Sequence, residues 1–224
     1  MRIMIALFAG LLLTAAAPPP RDWRANVGVA SGTEGFTVGN PAAKVALTEY
    51  LSFTCPHCAR FTAESKAVLH DVMVRNGSVR VEVRSAARDP FDLSAWVVAR
   101  CGGANRFQTL GRAIFAAQND WLTKGDAYVQ ANLAAVQAMP RPDQLRTIAD
   151  QSGLSAIGAR YGVTPAALTA CFKGEATVNP ILKMTDAAFA KIKGTPGFEI
   201  NGKLADDVGT WAALEPLLRA AGAK

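Results

Sequence analysis

The sequence predicts an α/β fold in which one sheet is built from two separated stretches of chain, with a block of helices inserted between them. Three observations predict it. A strand–helix–strand pattern occupies residues 45–84. Helical periodicity alone then runs from Leu93 to Ile192. Strand signals return only at Gly197-Phe198-Glu199-Ile200, ahead of a closing helix.

The chain opens on Arg2, an apolar stretch from Ile3 to Leu13, and Thr14-Ala15-Ala16-Ala17 before three prolines. This is the layout of a secretory signal peptide, expected over residues 1–16, because Pro18 hinders cleavage directly after Ala17. An uncleaved anchor is the alternative, although the apolar run is short for a membrane span. Residues 17–35 are rich in Pro and Gly and read as a flexible lead-in. A strand and turn at Phe36–Pro41 lead to a longer strand at Val45–Phe53. Phe61, Val68, Leu69 and Val72 share one face at α-helical spacing, Asn76-Gly77 marks a turn, and Arg80–Arg84 alternates as a strand.

Helical patterns follow at Leu93–Cys101, Arg106–Ala117, Tyr128–Met139, Pro142–Gln151, Leu154–Tyr161, Pro165–Phe172 and Pro180–Ile192. Thr164 and Pro165 pair as N-cap and first helical residue. Asn201-Gly202 predicts a hairpin turn, and Trp211–Ala221 a final helix. The sheet domain is expected over 36–87 and 182–224, and the helical insertion over 88–181. Trp96, Phe107, Phe115 and Trp121 fall at spacings that suit helix cores and do not form a cofactor box.

The chemistry is carried by Cys55-Pro56-His57-Cys58, where a strand turns into a helix. Two thiols separated by two residues can close a small ring and exchange it with another disulfide. At a helix start the first sulfur meets unpaired N–H groups and the positive end of the macrodipole, which stabilise its thiolate. His57 can favour that thiolate, and Pro56 holds the first turn without needing a donor partner. Each pKa unit by which Cys55 falls below an ordinary thiol is worth about 1.4 kcal/mol of preference for the anion. That preference favours the dithiol and makes the disulfide a stronger oxidant. A structural disulfide across one turn is the bland alternative, but so small a loop gains little from restricting the unfolded chain.

Half a zinc site looks the same, yet no second CxxC is present and His70 has no ligand partner at a usual spacing, so no metal is expected. Ala59 after Cys58 excludes the haem-attachment pattern. The pair is its own redox centre, so no cofactor is required. The net charge of +6 is spread over scattered Lys and Arg without a basic block, so a solvated surface is expected rather than nucleic-acid binding.

A βαβ half and a ββα half split by helices match the thioredoxin fold with an inserted α-helical domain, and here the sequence resembles the DsbA family of thiol:disulfide oxidoreductases. The resemblance is carried by Glu49 six positions before Cys55, by the Cys55–Cys58 tetrad, and by Gly194-Thr195-Pro196 before Asn201-Gly202. It covers Phe36 to the C-terminus. It implies that Cys55 is an exposed nucleophile and Cys58 a more buried resolving partner. It also implies a cis bond before Pro196, with the Thr195 backbone open to a substrate chain; an ordinary trans turn is the alternative. Glu49 becomes either a buried proton relay for Cys58 or an exposed strand residue. Thr62 stands where some relatives carry an acid, which weakens a multi-carboxylate relay.

Cys101 and Cys171 lie in two helices of the insert, as do the second disulfides of some relatives. They are expected to be bridged, since a free thiol beside a disulfide oxidant is a liability; two buried free thiols are the alternative. A bridge closing about 70 residues is worth up to roughly 4 kcal/mol by chain entropy. The expected function is an exported, monomeric, periplasmic enzyme that passes the Cys55–Cys58 disulfide to reduced, unfolded proteins and is reoxidised by a membrane partner of the DsbB type. Thr195 keeps a disulfide isomerase or reductase open. A non-catalytic binding module or chaperone and a metallochaperone are weaker rivals, the first opposed by the intact tetrad and the second by the lack of His and Met clusters near Cys55.

Overall fold

Val45–Leu51 (β3) and Val79–Ser85 (β4) are almost continuously buried, and such runs suit the paired centre of a sheet covered on both faces. They run parallel, with Val45 opposite Val79 and Glu49 opposite Val83. In this computed structural model, which describes residues 21–224, the sheet has six strands in the order β1-β2-β4-β3-β5-β6. The outer strands are Val27–Val29 (β1), Phe36–Gly39 (β2), Gly197–Ile200 (β5) and Lys203–Leu204 (β6), all antiparallel to their neighbours. The expected signal peptide, 1–16, lies outside the described residues.

The lead-in over 17–35 is a correction where it is described. A 3-10 turn at Trp23–Ala25 and strand β1 extend the sheet by one edge, with Val27 opposite Val38. Three residues of strand give too short an alternation to stand out in a Gly-rich sequence.

The crossover from β3 to β4 is Pro56–Ser65 (α1), continued without a break by a π-helical stretch, Lys66–Val74. Arg75 donates to the His70 carbonyl at 3.2 Å, a bond five residues back. The wider turn changes which side chains face inward. Leu69, Met73 and Val74 are buried while Val72, placed by α-helical spacing on the core face, is 47% exposed.

The insert comprises Pro90–Cys101 (α2), Ala104–Ala116 (α3), Gln118–Ala131 (α4), Leu133–Gln137 (α5), Arg141–Ser152 (α6), Leu154–Arg160 (α7), Pro165–Lys173 (α8) and Glu175–Phe189 (α9). Thr164 caps α8 as expected, accepting from the Ala167 amide. α4 begins ten residues before the periodicity expected at Tyr128. α9 begins five residues before Pro180, which costs the helix one hydrogen bond, and the 181/182 boundary falls inside it. Asn201 and Gly202 take positive φ (51° and 78°) in the β5–β6 hairpin, and Trp211–Ala221 (α10) closes the chain.

Insert and sheet share one core. Phe36 stacks on Phe107 at 4.0 Å between centroids, and Phe53 meets both Trp96 (5.0 Å) and Phe115 (4.6 Å). On α1, Phe61 packs against Phe198 of β5 and Trp211 of α10. The four aromatics expected in helix cores are all buried.

Candidate active site

β3 ends at Leu51, and the chain bends through Ser52-Phe53-Thr54 into Cys55, whose amide donates to the Ser52 carbonyl at 3.2 Å. Cys55 is the N-cap of α1 in extended conformation, and Pro56 opens the helix, where a missing N–H costs nothing. Pairing of Tyr50 with Gly197 brings Thr195-Pro196 from the far end of the sequence to this spot. Their peptide bond is cis. The Thr195 carbonyl lies 3.2 Å from Cys55 Sγ.

Both thiols are free and buried, Cys55 with 2% of its surface exposed and Cys58 with none. An open Cys55 is therefore corrected: the Thr195 loop lies against it, and the two sulfurs differ in surroundings more than in access. A hydrogen bond from the Cys58 thiol holds Cys55 down to about 4, helped by Thr195 and by the amides of Cys58 and His57, while burial pulls the other way. Cys58 is pushed well above an ordinary thiol by burial and by its neighbour Cys55, with the Ser52 amide opposing. His57 acts here through its backbone N–H. Its exposed ring makes no side-chain hydrogen bond among the described residues.

Glu49 is 3% exposed, which removes the exposed-strand alternative. Burial pushes its carboxyl up to about 8, against the pull of Arg112. No hydrogen bond joins it to Cys58. It borders instead a cavity of about 30 Å³ beneath α1, with Thr62, His70, Trp96, Gln108 and Arg112 around the same space. That is room for about one water molecule. Among the described residues, Glu49 Oε1, Trp96 Nε1 and Gln108 Nε2 have no hydrogen-bond partner. Burial and the nearby Arg112 lower His70 to about 4, so it faces the carboxyl as a neutral ring.

Two residues that the motif reading missed grip the bend before Cys55. Gln118 donates to the carbonyls of Phe53 (2.7 Å) and Cys55 (3.0 Å), and Asp92, fully buried, accepts from the Phe53 amide at 2.8 Å. Burial pushes the Asp92 carboxyl up to about 7, opposed by the Ser52 hydroxyl and the amides of Phe53 and Arg88. The signal for Asp92 was present in Asp89-Pro90-Phe91-Asp92, a helix start; Gln118 carried none.

Cys101 and Cys171 are disulfide-bonded, joining α2 to α8 with Cα atoms 5.9 Å apart. Among the described residues no three His, Cys, Asp or Glu side chains gather to hold a metal ion.

A low-pKa thiol at a helix start, a buried partner thiol in the next turn and a cis-proline loop against them make up a thioredoxin-fold site whose two thiols can close and exchange a disulfide. A thioredoxin family model matches residues 31–220, and the chain belongs to that family. The crystal structure of a protein-disulfide isomerase from Novosphingobium aromaticivorans is 33% identical, with TM-score 0.75, covering 82% of this chain and 95% of that one. Wolbachia pipientis alpha-DsbA1 shares the fold at 19% identity, with TM-score 0.64 over 86% of this chain and 91% of that one. A Rickettsia bellii protein named "Putative protein-disulfide oxidoreductase" is 26% identical over 170 residues, 75% of this chain and 57% of that protein. The chain thus spans somewhat over half the length of the curated relatives it matches.

Proposed function

We propose that the chain is an exported thiol:disulfide oxidoreductase that donates its Cys55–Cys58 disulfide to folding proteins. The observation that carries the reading is the placement of the two thiols, Cys55 at the extended N-cap of α1 with the Thr195 carbonyl 3.2 Å from its sulfur and Cys58 wholly buried within one helical turn, surroundings that hold Cys55 near 4 and push Cys58 above an ordinary thiol. A thiolate so stabilised favours the dithiol, so the disulfide is readily given away. A substrate thiolate attacks Cys55 Sγ and forms a mixed disulfide as Cys58 leaves. A second substrate thiolate then attacks the substrate sulfur of that bond, which releases oxidised substrate and leaves the dithiol. The two electrons gained pass on to an acceptor, which we take to be a membrane partner of the DsbB type. We place the enzyme in the periplasm as a monomer acting on reduced, unfolded proteins.

Isomerase or reductase activity is the second reading, supported by the name of the Novosphingobium relative and by Thr195 before the cis-proline. The two are separated on one multi-disulfide protein. Oxidised enzyme should rapidly introduce disulfides into its reduced form, Cys55→Ser should abolish the transfer, and scrambled protein should be rescued poorly. Efficient unscrambling with slow oxidation reverses the assignment.

A further inference from the structure

When a thiolate attacks Cys55 Sγ, a bond forms to that sulfur, the Cys55–Cys58 bond breaks, and its electron pair goes to Cys58 Sγ. The leaving sulfur is wholly buried, where an unsupported charge is expensive. The Ser52 amide faces it, N to Sγ 3.5 Å. A fixed N–H aimed at charge that develops in the reaction is the arrangement that lowers such barriers.

What fixes that amide is a set of side chains from the inserted domain. Asp92, in the first turn of α2, takes hydrogen bonds from the Ser52 hydroxyl, from the Phe53 amide at 2.8 Å and from the Arg88 amide at 3.0 Å. Arg88 Nε donates to the same Ser52 hydroxyl at 3.0 Å. Asp89 caps α2 by accepting from the Asp92 amide and takes the Thr54 hydroxyl, both at 2.8 Å. From the other side, Gln118 of α4 holds the carbonyls of Phe53 and Cys55. Asp92 and Ser52 are both fully buried, so water cannot replace either partner.

We propose that Asp92 is a positioning residue for the exchange step: by fixing the Ser52–Phe53 bend it holds the Ser52 amide on Cys58 Sγ, where that amide stabilises the departing thiolate. The proposal rests on the oxidoreductase reading above and gives the helical insert a direct part in the chemistry of the sheet domain.

The test separates the step in which Cys58 leaves from one in which it does not. Reduced glutathione is mixed with the oxidised full chain and the loss of the Cys55–Cys58 disulfide is followed by stopped flow. Asp92→Asn keeps the volume but sets an N–H₂ among donors, and it should slow this step by about tenfold. In a Cys58→Ser background, glutathione held on Cys55 as a mixed disulfide is released by added thiol. There the same substitution should leave the rate unchanged. Equal slowing of both reactions marks a general loosening of the site and overturns the proposal, as does no slowing of the first.

Should Asp92→Asn fail to fold, Ser52→Ala decides. It removes the hydroxyl link but keeps the amide, and should slow only the first reaction, by about threefold; an unchanged rate overturns the proposal. A wild-type chain that does not exchange with glutathione at all sinks the oxidoreductase reading itself, and is measured before any variant.

Discussion

Cys55 and Cys58 sit one helical turn apart, yet their surroundings drive their acidities in opposite directions. Cys55 is held down by the Cys58 thiol, the Thr195 side chain and two backbone amides, whereas at Cys58 complete burial and the neighbouring Cys55 outweigh the Ser52 amide and the Thr195 side chain. The folded pKa of Cys55 is depressed, so its thiolate supports the reduced fold fully above the ordinary thiol range, and the support is lost as pH falls through about 4. Glu49 has the opposite sign. Its folded pKa is raised to about 8, so it favours the fold below the ordinary carboxylate value, and that contribution disappears as pH rises through about 8. Glu49→Gln should therefore raise unfolding stability by about 2 to 4 kcal/mol at pH 8 and leave it unchanged near pH 4. Urea unfolding of the reduced protein at both pH values measures it, and an equal gain at both would show that ionisation of Glu49 is not the cause.

At the scale of elements, the continuation of α1 departs most from the sequence pattern. An α-helical repeat places Val72 with Phe61 and Leu69, but the π-helical turn rotates Val72 outward and brings Met73 and Val74 in. Met73→Ala should cost about 2 to 5 kcal/mol. Val72→Ser should stay within about 0.5 kcal/mol. Thermal unfolding of the pair distinguishes this phase from an uninterrupted α-helix, which would reverse the order. Strands β2 to β5, the active-site helix and the cis-proline loop were legible because each has a local signature: alternation, a capping position, or a Gly-Thr-Pro-Gly turn. The π-helical stretch was not, since its extra residue per turn leaves composition untouched. Strand β1 was too short, and the beginning of α4 lacks a clear apolar stripe. The grip of Asp92 and Gln118 on the active-site bend was hidden for another reason. It joins residues 39 and 65 positions from Phe53, and no local pattern records such pairings.

For the molecule as a whole, the insert is bound to the sheet domain through a continuous aromatic core, and within the insert the Cys101–Cys171 bridge ties α2, which carries Asp92, to α8. The bridge spans 70 positions. Replacing both cysteines by Ala should lower stability by about 2 to 4 kcal/mol while leaving exchange at Cys55 near the wild-type rate, because the Asp92 end of α2 is held independently by its bonds to the bend. Denaturant unfolding and a thiol-exchange assay on the same protein report the two effects separately.

By stabilising its thiolate, the surroundings of Cys55 should make the Cys55–Cys58 disulfide oxidising. This is tested most directly by the equilibrium constant of the pair against reduced and oxidised glutathione at pH 7. The dithiol should be strongly favoured, with a potential of about −120 mV, as for a disulfide whose reduced form is stabilised. A potential of about −270 mV, that of a reducing thioredoxin, would contradict it.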